Sequence, residues 1–285
     1  MKNFAPLLLI AILYVACGKA APKSSSQEDL EIIDGSTLKI ENGLILKIEG
    51  EEKAPLTGTV VYYYPDGSKK EQLECVDGKW KGKFLWWHEN GSKAGEATMI
   101  AKGTWDGEYR EWFKNGNLKV QSQFENGVVQ GKEVWRHESG QTRSVRNYID
   151  GKKHGSAVGY FNDGKKEWES NWQNGKPHGA YREYEADGSL ASVIHYQDGK
   201  RHGELKAWFT PDPVKGLPRR LSKQMQFENG MLQGLKKEWW ANGKPKLEER
   251  YLAGQRDGLC VEWDAAGNEI SKLTYSKGEL IKSKP

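Results

Sequence analysis

Three histidines recur at one interval. His154, His178 and His202 each stand directly before a glycine, 24 residues apart. Imidazole is a common metal ligand, and a zinc ion needs its ligand nitrogens at about 2 Å from one centre. The regular spacing argues against a shared ion. If each interval folds as a two-strand hairpin, equivalent positions lie about 10 Å apart along a sheet, so the three read as polar turn residues. His88 and His137 share a strand position two intervals apart and fail on the same ground. Cys75 and Cys260 stand at strand positions of the first and ninth units. An extended stack holds them far beyond the roughly 6 Å that a disulfide spans between Cα atoms, so both are expected as unpaired thiols. The glycines are followed by strand-like residues, whereas a phosphate-cradling loop needs a helix start. No serine sits in a nucleophile elbow, and no carboxylate pair stands out from the repeat. No catalytic residue, metal or cofactor is expected.

The elements behind these residues form an internal repeat. Gly58, Gly82, Gly107, Gly131, Gly155, Gly179, Gly203, Gly234 and Gly258 open successive units, spaced 24 or 25 residues except for one interval of 31. Nine residues later a second glycine usually follows Asp or Asn, as in Asp66-Gly67, Asn90-Gly91, Asn115-Gly116, Asp163-Gly164 and Asn242-Gly243. Such pairs suit a type I′ hairpin turn, which needs positive φ at both central residues. A third glycine, as at Gly127, Gly151 and Gly175, closes the second half. The expected fold is all-β: an elongated array of about nine tandem antiparallel β-hairpins of roughly 24 residues, units 58–81, 82–106, 107–130, 131–154, 155–178, 179–202, 203–233, 234–257 and 258–280.

Large rings recur in this frame. The fifth position after the opening glycine holds Tyr63, Trp87, Trp112, Tyr160, Tyr184, Trp208, Trp239 and Trp263. These are expected to build the core, because a lone hairpin is barely stable and stacked neighbours must share apolar surface. Adjacent strand residues face opposite sides, which sends Trp86, Phe113, Phe161, Phe209 and Trp240 to the other face. Unit seven carries a seven-residue insertion in the stretch from Thr210 to Arg220, stiffened by Pro211, Pro213 and Pro218 and ending in Arg219 and Arg220. Insertions in repeats map to loops, often on a binding face. Phe209, Trp240 and this loop form the expected partner-binding patch.

Composition agrees with many short strands. Only 36% of residues are hydrophobic, yet 12 Trp, 12 Tyr and 7 Phe are present among 33 Gly. Disordered chains are short of aromatics. The net charge of +4 comes from 43 basic and 39 acidic residues. That is a mixed surface without the concentrated basic face of a nucleic-acid binder.

Lys2 and the apolar run Ala5 to Val15 read as an export signal, too short for an ordinary membrane span. Val15-Ala16-Cys17 resembles a bacterial lipobox, which implies cleavage after residue 16 and lipidation of Cys17. Residues 1–16 are then the signal peptide, 17–33 a flexible tether with three consecutive serines, and 34–285 the repeat domain. Gly18 favours the outer membrane if the cell is Gram-negative.

The MORN-like variant repeats of the YwqK-type antitoxin family carry units ending Lys-x-x-Gly or Lys-x-His-Gly, then an aromatic, then Asn-Gly or Asp-Gly; Lys152 to Gly155, Lys176 to Gly179 and Lys200 to Gly203 resemble those endings. Asn42-Gly43-Leu44 and Pro55-Leu56-Thr57-Gly58 are similar to that family's opening. The resemblance covers residues 34 to 280 and implies a β-hairpin array that neutralises a toxin protein. The residues themselves favour a non-enzymatic, envelope-anchored scaffold binding another protein. A carbohydrate- or peptidoglycan-binding module using exposed rings, or an antitoxin-like neutraliser, is the alternative. The expected partners are a protein, a glycan as the second choice, and the membrane through the lipid anchor.

The lipobox generates a direct test. The Cys17→Ala chain is expected to leave the membrane fraction on cell fractionation, and membrane retention equal to wild type would refute lipidation there.

Overall fold

The computed structural model describes residues 32–49, 52–101, 103–211 and 219–283. The signal peptide, Cys17 and most of the tether lie outside them, as do Pro213 and Pro218. The described residues are almost all β, with one short 3₁₀ turn at Gly35–Thr37. A 24-stranded sheet carries the repeats, and a three-stranded sheet (Lys39–Glu41, Leu44–Glu49, Glu52–Pro55) precedes them. From Gly58 onward the strands pair antiparallel with their sequence neighbours, both halves of each split strand pairing with the strand before it, so the large sheet is one long meander.

Two turn types alternate. The turns between units are two-residue turns with positive φ at both positions: Asn126 (50°) and Gly127 (82°), Asp150 (49°) and Gly151 (72°), and their equivalents down to Lys277-Gly278. These are the type I′ geometry that matches strand twist. The turns within units differ from the sequence expectation. At Asp66-Gly67 only the glycine has positive φ, as at Asn90-Gly91, Asn115-Gly116, Asp163-Gly164 and Asn242-Gly243. Gly67 N–H donates to Tyr64 O (2.9 Å) and Tyr64 N–H to Ser68 O (2.8 Å). That is a three-residue loop closed by a left-handed glycine. Asp66 prefers it because its Oδ1 accepts the Ser68 N–H at 2.9 Å, a local bond available in an ordinary right-handed turn. In unit seven the same closing bond runs from Phe209 N–H to Arg220 O (2.9 Å), so the strands on either side of the insertion keep the register of the other units.

The unit-opening glycines mark a break. At Gly107, Gly155, Gly179 and Gly234 the incoming strand is split, and in the intervening units the pairing register shifts instead, as between Gln121 and Gln123. All but Gly58 have positive φ there, which a Cβ would resist.

The core lies on the face opposite to the one expected. Val60, Leu73, Cys75, Ala97, Met99, Val120, Ala157, Leu205, Phe227 and Cys260 are buried. By pairing and alternation they share the face of the second and fourth positions. The fifth-position rings face the other way and are only part-buried, with Tyr63 exposed. Trp86 therefore sits on the core face. Its indole covers Gly95, its cross-strand partner, where an added Cβ would meet the ring at 1.9 Å. Trp168 covers Gly159 in the same way, at 2.1 Å. In units two and three Phe84, Trp86, Trp105, Tyr109 and Phe124 join in a continuous ring cluster with centroids 4.8 to 6.1 Å apart.

The N-terminal end is capped. Ile32–Asp34 adds a parallel strand to Gly58–Tyr63, so Ile32 and Ile33, placed in the tether by sequence, belong to the folded domain. Ile45 and Leu56 are buried against Val60 and Cys75. Among the described residues the other end, Glu279–Ser283, pairs on one side only.

Because Gly95 has an extended backbone and its obstacle is a ring, Gly95→Ala isolates the steric term. It is expected to destabilise the chain by about 1–3 kcal/mol, read by urea denaturation. An unchanged midpoint would contradict the Trp86–Gly95 packing.

Candidate binding face

The sixth-position side chains form a column along the loop edge, each reaching into the next unit. Tyr64 Oη donates to Trp87 O (2.9 Å), His88 Nε2 lies 3.0 Å from Trp112 O, and His137 Nε2 lies 2.9 Å from Tyr160 O. Trp240 Nε1 donates to Trp263 O at 3.0 Å. The same loops are tied by Asn90 Nδ2 to Lys114 O (3.1 Å) and Asn242 Nδ2 to Ala265 O (2.7 Å). Phe113, Phe161 and Phe209 occupy this column where no ring nitrogen or hydroxyl is present, and all three are half-buried.

The expected patch is brought together in part. Phe209 and Trp240 hold the same register in adjacent units. Arg220 spans them, its Nη1 donating to Asn242 O at 2.7 Å, and its guanidinium lies where a Cβ on Gly243 would be. Thr210 Oγ1 reaches back to Glu185 Oε1 of unit six at 2.9 Å. Pro211 is half-buried beside it. Arg219 turns to the opposite face, stacking over Trp208 at 5.1 Å, so it does not join the others.

The remaining candidates do not come together. The backbone N–H groups of His154 and His178 donate to Asn147 O and Asn171 O, both at 2.9 Å. The Nδ1 atoms of His154 and His202 are buried without a hydrogen-bond partner, and His178 Nδ1 stands 3.9 Å from Asp198 Oδ1. No three His, Cys, Asp or Glu side chains among the described residues come together as a metal site. Cys75 and Cys260 are free thiols. Burial pushes the Cys75 thiol up to about 11, which suppresses the reactive thiolate.

Sequence reasoning missed one charged cluster on the core face. Glu249 is 1% exposed. It binds Lys236 Nζ (2.8 Å), Arg256 Nη2 (2.8 Å) and Tyr251 Oη (3.1 Å), with the Cys260 thiol 3.7 Å away. Burial alone raises the Glu249 pKa, but Lys236, Arg256 and Tyr251 outweigh it and hold the carboxyl below its ordinary value. Both oxygens are fully engaged, so the group is a structural anion. The signal was available: Glu249 stands where other units place Ser122, Ser170 or Leu273 opposite the second position.

Units five and six leave two open depressions on the core face. One of 210 Å³ is lined by Trp172, Tyr181 and Tyr196, and one of 370 Å³ by Phe161, Trp168 and Tyr181. They arise because Ala157, Gly159 and Ser170 supply too little volume to fill the face.

A family described as MORN repeat variant matches residues 105–126, 177–198 and 232–253. Each match starts two residues before a unit-opening glycine and ends on the first residue of a two-residue turn. The chain is thus a tandem β-hairpin array carrying MORN-like repeats, matched in units three, six and eight. No curated protein matches it. Among solved structures, "Crystal Structure of TcdB2-TccC3-Cdc42" is 12% identical with a TM-score of 0.16, covering 82% of this chain and 15% of that one. The chain spans about 15% of that chain's length, and the likeness supports no statement on fold or function.

The Glu249 cluster predicts a pH dependence. Its folded pKa is depressed, so its stabilisation is complete above the ordinary carboxylate pKa of about 4.3 and is lost as pH falls through the lower folded value. Glu249→Ala, which leaves Lys236 and Arg256 without their anion, is expected to cost roughly 3 kcal/mol at pH 7. Glu249→Gln should flatten acid destabilisation below about pH 4. Acid melts identical to wild type would remove Glu249 from the linkage.

Proposed function

We propose that the chain is a non-catalytic repeat scaffold that binds another protein, held at the cell envelope by a lipid on Cys17. One observation carries the reading. A single-layer sheet leaves the large rings of its core face half-exposed, and the 370 Å³ depression of units five and six is joined to Thr210 of unit seven through the Thr210–Glu185 bond. Half-exposed aromatics rimmed by polar loops are the usual anchors of protein interfaces. The MORN-variant matches support a scaffold rather than an enzyme. Protein is favoured over sugar because several fifth-position rings are stacked by the protein's own cations: Lys69 over Trp87, Lys93 over Trp112 and Arg219 over Trp208. Those faces are not free for a pyranose ring. Phe209, Trp240 and the Thr210–Arg220 loop are the proposed contact patch.

The test is crosslinked capture from envelope membranes with the unit-seven loop shortened to a standard turn and Trp240→Ser. The variant is expected to melt cooperatively yet lose most of the protein captured by wild type. Undiminished capture would remove this patch from the interface.

A further inference from the structure

Several acids on both faces of the array are neutralised within the chain. Glu96 pairs with Arg110 and Lys93, Glu133 with Arg146, Glu169 with Lys166 and Arg182, and Glu249 with Lys236 and Arg256. Around the 370 Å³ depression of units five and six, three acids without such a partner stand together. Glu167, Glu183 and Glu185 line it, and among the described residues none has a cationic partner. Glu183 accepts only from Ser192 Oγ (2.8 Å) and Tyr181 Oη (3.3 Å), and Glu185 from Thr210 Oγ1 (2.9 Å). Burial and the charges of Glu183 and Glu167 raise the Tyr181 hydroxyl pKa, which agrees with local uncompensated negative charge.

The same depression presents ring faces. Trp168 lies directly across from Glu183 in the neighbouring strand. Ring-on-ring packing among the described residues is confined to units two and three, so Trp168 and Tyr181 have no aromatic neighbour stacked on them. Elsewhere on this face the chain supplies its own cations to such rings: Lys153 over Trp172 at 4.4 Å, Arg201 over Phe227 at 5.4 Å, Arg256 over Tyr275 at 5.2 Å. Over Trp168 and Tyr181 it supplies none among the described residues. A ring face bordered by unpaired carboxylates attracts a desolvated cation through both the ring quadrupole and the charge.

We propose that this depression receives an arginine or lysine side chain from a basic segment of the partner protein, with Trp168 and Tyr181 stacking on the cation and Glu183, Glu185 and Glu167 pairing with it. The proposal rests on the scaffold reading and names the chemistry of its partner.

The experiment titrates the purified full-length chain with a fluorescein-labelled acetyl-Gly-Arg-Gly-Arg-Gly peptide. The control peptide carries citrulline, the neutral isostere, in place of both arginines. Anisotropy should show saturable binding of the arginine peptide, weakened about tenfold or more with citrulline. The isosteric pair Glu183→Gln and Glu185→Gln should cause a similar loss, while Trp168→Phe, which keeps a ring over Gly159, should lose less. Equal binding of both peptides, binding unchanged by the Glu→Gln pair, or no binding by a cooperatively folding protein would each overturn the site. So would saturable binding of a neutral chito-oligosaccharide that displaces the peptide and ignores the Glu→Gln pair. The assay needs no cellular partner. Failure of the envelope capture therefore leaves this result standing, and failure here leaves the capture result standing.

Discussion

The array depends on one backbone hydrogen bond, repeated from end to end. The N–H of each inter-unit turn glycine donates to a carbonyl in the preceding unit: Gly127 to Trp105 O at 2.7 Å, Gly151 to Val129 O at 3.0 Å, Gly175 to Lys153 O at 2.8 Å, Gly254 to Leu232 O at 2.9 Å. The bond forms only if the turn places both of its residues at positive φ, which is why Asn, Asp and Gly recur there. It sets the distance between units, and with it the register of every side chain on both faces. Unit seven shows its priority. Gly230 N–H still reaches Arg201 O at 2.7 Å, although this unit is seven residues longer than its neighbours.

What the sequence made legible was whatever this bond dictates: the period, the hairpin count, the all-β class and the position of the insertion. Which face becomes the core was not legible from the rings alone, because rings stand on both. The fifth-position residues form the more regular row, but that row faces outward and is stacked by Lys69, Lys93 and Arg219. The deciding residues are small. Ala97, Ala157, Ser122, Ser144 and Ser170 are buried because they stand opposite or beside large rings on the core face, and small residues carry little weight in a hydrophobic pattern. Turn type was misread for a related reason. Asn-Gly and Asp-Gly serve both turns, and what separates them is whether the Asx oxygen caps a backbone N–H two residues on, as Asp66 does for Ser68. The patch was legible only in part. Register brought Phe209, Trp240 and Arg220 together, whereas the turn of Arg219 toward Trp208 follows from a cation–ring contact that spacing does not encode.

A one-layer sheet has no opposing layer to dry its core, and the chain responds by mixing chemistries on a single face. Units one to three rely on apolar and aromatic packing around Val60, Phe84 and Tyr109. Units eight and nine rely on ionic packing around Glu249. Units five and six have neither, since Ala157, Gly159 and Ser170 keep the face shallow. A shallow stretch of the face thus lies near the middle of the array, flanked by two regions that hold the register on either side.

The two ends of the sheet are unlike. Unit one is sealed by the parallel strand Ile32–Asp34 and the buried pair Ile45 and Leu56, while Glu279–Ser283 carries Leu280 and Ile281 more than half exposed on an outermost strand. This gives the array a direction. Each edge strand is held by one row of bonds, but the N-terminal one is backed by the buried Ile45 and Leu56, so among the described residues Glu279–Ser283 is the less protected edge and local opening is expected to start there. With the anchor proposed at Cys17, a pull on Glu279–Ser283 would peel the units in turn, and the cap would be the last described element to open.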